Sequence, residues 1–176
     1  MVVVLATEEI AAKKTPKPVW IRGVGFANDS ATLESRNWQS ALYAQTAAKN
    51  AYRQAGIDGP QTIDFYEVDD TYAYKELQHL VALGVYADAA AAVQALDRGE
   101  TQRTGKAPVN VSGGALGLGY TFEAAGLYRV VELALQLRGQ AGQRQLSRAR
   151  TGLAQSWRGV PTTSGAVVIL GSERPQ

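Results

Sequence analysis

The side chains able to do chemistry in this 176-residue chain fall in two places. Asp69, Tyr72 and Tyr74 follow a predicted strand, and Tyr120 ends a glycine-rich loop. Phenol and carboxylate groups can both transfer protons or hold strong hydrogen bonds. A tyrosine hydroxyl starts near pKa 10, so as a base it must be lowered by several units, and a helix N-terminus behind Tyr120 pushes in that direction. Any one tyrosine is equally well a core aromatic with a satisfied hydroxyl. The case for function rests on the two positions together.

Two elements must position these groups. The first is Pro108 to Gly139, PVNVSGGALGLGYTFEAAGLYRVVELALQLRG, which reads as a strand, a glycine loop and a long helix without a break. Gly113, Gly114, Gly117 and Gly119 let the backbone approach a ligand closely, and from Ala124 the residues Leu127, Val130, Val131, Ala134 and Leu135 recur at helical spacing on a predicted buried face. The second is Thr62 to Val68, where Ile63 and Phe65 alternate with Asp64 and Tyr66 as in a strand. Chemistry is expected at its end, from Asp69 onwards.

The remaining chain supplies the frame. Val2 to Ala6 reads as a strand, followed by a short helical segment through Ala12 and a polar, proline-bearing linker from Lys13 to Pro18. Val19 to Phe26 is a predicted strand in which Gly23 and Gly25 mark a bend or a close backbone contact. A helix from about Trp38 presents Ala41, Ala44, Ala48, Ala51, Tyr52 and Ala55 on one face and stops at Gly56. His79, in the helix after Tyr74, projects away from that tyrosine and reads as a surface or packing residue. Ala89 to Leu96 is a further helix, and Thr151 to Trp157 with Ala166 to Leu170 read as an antiparallel strand pair.

Composition narrows the chemistry. The chain is 45% hydrophobic, enough for one domain with a real core. Its 18 basic and 16 acidic residues are interspersed, which argues against a nucleic-acid partner. It has no cysteine, hence no thiol nucleophile and no thiolate zinc site, and its one histidine leaves no imidazole cluster for a metal. Val2 to Ala6 is too short to span a membrane, and a cytoplasmic location is the default expectation.

The order of residues in the glycine segment carries a resemblance. Asn110-Val-Ser-Gly-Gly, four residues, Gly119, then Ala124-Ala-Gly126 and Val131-Glu-Leu through Gln136-Leu-Arg-Gly139 resembles the C-terminal half of thiolases, particularly the sterol carrier protein branch. That family writes Gly-His-Pro-x-Gly-Ala-Ser/Thr-Gly where this chain has Gly-Tyr-Thr-Phe-Glu-Ala-Ala-Gly, so Tyr120 stands at the position of a catalytic histidine. Asp69-Asp-Thr-Tyr-Ala-Tyr-Lys-Glu-Leu falls where the branch carries Glu-Leu-His-Asp-x-Phe and Glu-Leu, with Asp70 and Glu76 kept and Asp69 replacing a second histidine. Tyr74 matches a tyrosine of the thiolase-like steroid side-chain aldolases. The Cys-x-Gly motif of degradative thiolases is replaced by Val160 to Gly165, and Ser164 is no substitute for its thiol.

The resemblance implies an α/β fold with a mixed central sheet covered by helices. Residues 1–12 would complete the sheet of a thiolase N-terminal half carried by another chain, 13–18 would be a linker, and 19–176 the C-terminal domain. It implies catalysis by Tyr120, Tyr74 and Asp69, with Asp69 orienting a tyrosine, and substrate or CoA binding by Gly113, Gly114, Gly119 and Tyr72. The implied reaction is retro-aldol cleavage of a β-hydroxyacyl-CoA, which needs neither thiol nor acyl-enzyme. CoA enters as part of the substrate, with no covalently bound cofactor and no metal. The implied partners are the N-terminal-half chain and an OB-fold, zinc-ribbon acyl-CoA-binding protein. A non-catalytic or acyl-transfer half-subunit of a split thiolase is the alternative.

Overall fold

The computed structural model describes residues 1–159 and 163–174. Four strands form one mixed sheet: β1 (Trp20–Asn28), β2 (Phe65–Glu67), β3 (Thr151–Arg158) and β4 (Ser164–Gly171), in the order β1-β4-β3-β2. β4 is antiparallel to both neighbours and β2 runs parallel to β3. Among the described residues six α-helices accompany it: α1 (Glu8–Lys14), α2 (Leu42–Ala55), α3 (Ala73–Ala82), α4 (Ala89–Asp97), α5 (Gly114–Leu118) and α6 (Ala125–Arg138). α2 packs on β1 and β4, and α6 packs on β3 and β2. This is the expected mixed α/β sheet with helical cover.

The small residues of α2 explain how closely it approaches the sheet. Ala44, Ala47, Ala48 and Ala51 are all buried, and a Cβ at Gly23 or Gly25 of β1 would collide with the carbonyl oxygens of Ala51 and Ala47. The predicted close backbone contact is therefore real, and it is between helix and strand. α2 begins at Leu42, later than expected, and ends at Gly56 in the left-handed conformation (φ 68°). The antiparallel pairing of the last two strands also holds. Of the turn between them, Val160 to Thr162 lie outside the described residues.

Two expectations need correction. The strand before the glycine loop reduces to a single parallel bridge between Val109 and Tyr66, because residues beyond it turn away to form α5. Residues 1–7, expected to join the sheet of another chain, are exposed and pair with no described strand of this one, and α1 follows them. The second correction concerns α6. Its buried residues are Ala125, Arg129, Glu132, Leu133, Gln136 and Leu137, whereas Leu127 is exposed and Val130, Val131, Ala134 and Leu135 are half-buried. Burial of three polar residues is made possible by partners outside the helix. Glu132 pairs with Arg144 at 2.9 Å, Gln136 accepts from the Leu146 amide, and Arg129 meets Asp69. Leu127, Val130 and Ala134 instead line an apolar groove of about 440 Å³ together with Val3, Val4, Leu5, Ile21 and Val24.

Candidate active site

β2 ends at Glu67, and the next residues run directly into a buried polar layer. Glu67 accepts hydrogen bonds from the amide and hydroxyl of Ser112, the latter at 2.6 Å. Burial pushes its carboxyl up to about 7 despite those bonds. Asp69 is 1% exposed. One of its oxygens accepts from the amide and hydroxyl of Thr71 and from Trp157 Nε1 at 3.0 Å; the other pairs with Arg129 at 2.9 Å. The Asp69 carboxylate is thus committed to Arg129, Thr71 and Trp157, and none of its bonds orients a tyrosine. Asp70 accepts from the amides of Ala115 and Leu116 and so caps α5. That is why Gly114 must be glycine: its φ is 59°, and a Cβ there would strike the Asp70 carboxylate.

His79 is fully buried, which settles its role as packing rather than surface. Its Nδ1 lies 2.9 Å from the Asp69 carbonyl oxygen and its Nε2 2.9 Å from the Tyr43 hydroxyl. Burial drives its pKa down to about 4, so the ring is neutral near pH 7. A carbonyl only accepts; Nδ1 therefore carries the proton, Nε2 accepts, and the Tyr43 hydroxyl donates to it. Tyr43 stacks on Trp157 with ring centroids 5.9 Å apart.

Above this layer opens a cleft of about 570 Å³ lined by Tyr43, Thr71, Tyr72, Tyr74, Lys75, Tyr120 and Trp157, among others. Tyr120 thus meets Tyr72 and Tyr74, 48 and 46 residues away in sequence, on one cavity. Tyr72 and Tyr74 stack on each other at 6.1 Å, and Tyr120 meets Phe122 edge-on at 5.6 Å. Among the described residues, none of the three hydroxyls has a hydrogen-bond partner. Tyr120 also borders a second cleft of about 430 Å³, with Phe26, Phe122 and Trp157, and a water-sized space beside Gly114, Gly119 and Arg129. Gly113 and Gly119 take positive φ, 107° and 96°, at the two ends of α5. Tyr120 does not sit on the first turn of α6: residues 121–124 form a tight 3-10 turn between them.

Lys75, Tyr43 and Trp157 line the cleft but were not singled out from the sequence. Only the position of Lys75 beside Tyr74 hinted at it. Tyr43 and Trp157 reach the cleft through tertiary contacts alone. Among the described residues no cluster of three His, Cys, Asp or Glu side chains is placed to hold a metal, and no helix is long and apolar enough to cross a membrane.

Residues 25–172 match the family model described as thiolase C-terminal domain-like. The chain belongs to that family. It is 30% identical over 168 residues to acetyl-CoA acetyltransferase of Methanothermobacter thermautotrophicus, covering 95% of this chain and 43% of that protein. It is 36% identical over 126 residues to human sterol carrier protein 2, covering 72% of this chain and 22% of the relative. The chain therefore spans less than half the length of the curated relatives it matches. Among solved structures, the Ltp2-ChsH2(DUF35) aldolase superposes with a TM-score of 0.78 at 24% identity, over 94% of this chain and 42% of that one. A monomeric SCP2-thiolase-like protein type 1 from Mycobacterium smegmatis superposes with a TM-score of 0.64 at 18% identity, over 93% and 32%. These structures share the fold, and one of the relatives, the acetyl-CoA acetyltransferase, is an enzyme of acyl-CoA chemistry by name.

Proposed function

We propose that this chain is the C-terminal half of a thiolase-like lyase that cleaves a β-hydroxyacyl-CoA by a retro-aldol step, releasing a ketone and a shorter acyl-CoA. The observation that carries the reading is the convergence of Tyr120, Tyr74 and Tyr72, with unpartnered hydroxyls, on one cleft. One tyrosine, as base, removes the β-hydroxyl proton; the α–β carbon bond breaks; the electron pair passes to the thioester enolate, which is then protonated at the α-carbon. Tyr120 and Tyr74 divide the two proton transfers. Gly113, Gly114 and Gly119 keep the loop beside Tyr120 low enough for a thioester to approach, and Tyr72 forms the aromatic wall. CoA arrives as part of the substrate. A steroid side chain is the acyl type that the sequence resemblance to the thiolase-like steroid side-chain aldolases implies.

The reading includes a partner chain with the features of a thiolase N-terminal half, and an OB-fold, zinc-ribbon acyl-CoA-binding protein. Support for the first comes from the groove along α6, where Leu127, Val130 and Ala134 face Val3, Val4 and Leu5, with Val4 and Leu5 84% and 74% exposed. An apolar helix stripe and an apolar extended segment left open together mark a contact surface. Expressed alone, the chain is expected to aggregate or remain insoluble, and a soluble monomer with a cooperative melt would argue against the missing half.

Incubating the assembled protein with a series of β-hydroxyacyl-CoAs and assaying for ketone tests the activity. Ketone and a shortened acyl-CoA in equal amounts are expected. Thiolysis instead, dependent on free CoA and a cysteine of the partner, would favour the alternative of an acyl-transfer half-subunit.

A further inference from the structure

Lys75 presents a cation where the fold supplies nothing to neutralise it. The residue is 8% exposed. Its ammonium donates to the Tyr43 hydroxyl at 3.2 Å and to Gln78 Oε1 at 2.7 Å, and lies 4.5 Å above the Trp157 ring. Among the described residues no carboxylate pairs with it. The nearest acid acting on it, Asp69, is already held by Arg129 at 2.9 Å. The other charged groups of the cleft are Asp29 and Arg36.

Two features aggravate the position. Lys75 is the third residue of α3, at the positive end of the helix dipole, where cations are disfavoured. Burial also pushes its pKa below the usual lysine value, the Asp69 charge only partly opposing this. A desolvated, unpaired charge is costly to keep. Its orientation is nevertheless fixed. Because Tyr43 must donate to His79, its oxygen is free to accept from Lys75, and Gln78 takes a second N–H. An ammonium has three donors, so one is left for the cleft that Lys75 lines with Tyr74 and Tyr120.

We propose that Lys75 binds the oxyanion of the acyl-CoA substrate, holding the thioester oxygen as negative charge gathers there when the carbon–carbon bond breaks. This rests on the retro-aldol reading of the cleft. The proton balance is unchanged: one proton leaves the β-hydroxyl, one reaches the α-carbon, and Lys75 keeps its own. Tyr43 and His79 are positioning residues that aim it.

The test compares two thioethers by calorimetry on the assembled protein: S-carboxymethyl-CoA, whose carboxylate mimics the enolate, and neutral S-ethyl-CoA. Wild-type protein is expected to bind the carboxylate roughly tenfold to a hundredfold more tightly, as suits a charge-assisted hydrogen bond. Lys75→Met should remove that preference while leaving S-ethyl-CoA binding unchanged, and Lys75→Arg should restore part of it. Equal binding of the two compounds by wild-type protein overturns the proposal without any variant, as does a preference that survives in a folded Lys75→Met protein. If ketone is nevertheless formed, the retro-aldol reading stands and Lys75 alone is wrongly assigned. A Lys75-dependent preference with no ketone from any β-hydroxyacyl-CoA has the reverse meaning. Failure to bind either thioether removes both.

Discussion

The floor and the rim of the cleft both use tyrosine, to opposite ends. In the floor, Asp69, Tyr43, His79 and Arg129 are all less than 5% exposed, and every one of them finds hydrogen-bond or ionic partners within the protein. On the rim, Tyr72, Tyr74 and Tyr120 are 56%, 61% and 48% exposed and leave their hydroxyls to solvent or ligand. Buried polar groups must be satisfied because an unmet one costs more than the bond contributes. The floor is therefore spoken for, and reactivity is left to the rim, with Lys75 between them belonging partly to each.

The largest effect that would break this division is on the rim. Tyr120→Phe removes only an oxygen, and turnover of a β-hydroxyacyl-CoA should fall about a hundredfold to ten-thousandfold with CoA-ester binding little changed. Tyr74→Phe should give a smaller loss of the same kind. A Tyr120→Phe protein with wild-type turnover would make the residue a packing group and end the mechanism. Thermal and chemical unfolding of either variant should match wild type.

The floor should respond the other way. Arg129→Met strands Asp69 without its cation, and breaking a buried pair of this sort costs about 3–5 kcal/mol. Denaturant melts measure it; a loss below about 1 kcal/mol would mean that Asp69 relaxes into Thr71 and Trp157 alone. Tyr43→Phe leaves His79 Nε2 without a donor and should cost about 1–3 kcal/mol, whereas Tyr72→Phe on the rim should be nearly silent in the same melt. Equal losses for the two would erase the distinction between floor and rim.

The smallest effect is in pH dependence. Glu67 in the fold titrates near 7, above its ordinary value of 4.5, so the stability tied to its neutral form is present below about pH 4.5 and fades as pH rises through 7. His79 has the opposite sign. Its folded pKa, about 4, lies under its usual 6.5, so its contribution is intact above pH 6.5 and drains away as pH falls towards 4. Melting temperatures of Glu67→Gln across pH 4–8 should fall less at the alkaline end than those of wild type. An unchanged slope would show that Glu67 stays ionised.

How much of this was legible depended on whether a residue's partner is local. The alanine face of α2, the tight approach at Gly23 and Gly25, and the pairing of β3 with β4 all follow from short-range pattern, and the structure reproduces them. The face of α6 did not follow. Periodicity treats Arg129, Glu132 and Gln136 as solvent-facing, yet Arg144, Leu146 and Asp69, from other segments, make their burial possible. Likewise Tyr43 and Lys75 touch across 32 residues of sequence, a contact no spacing rule marks. Tyr120 and Tyr74 were singled out by the motif positions they hold in the resemblance, and Tyr72 by its place beside Tyr74.

The strand order has a consequence for how the chain is made. β1 takes its hydrogen bonds from β4, with Trp20 opposite Gly171, about 150 residues later. At roughly 5–20 residues per second of synthesis, the first strand waits on the order of 8–30 s on the ribosome with an open edge before its neighbour exists. Until then α2 can cover one of its faces but, apart from the Val24 amide that donates to Gln54 Oε1, leaves its amides without partners. β4 also lies between β1 and β3, so a nascent chain that stops before Ser164 has a sheet missing its middle, and premature termination at that point would leave an adhesive fragment rather than a shortened domain.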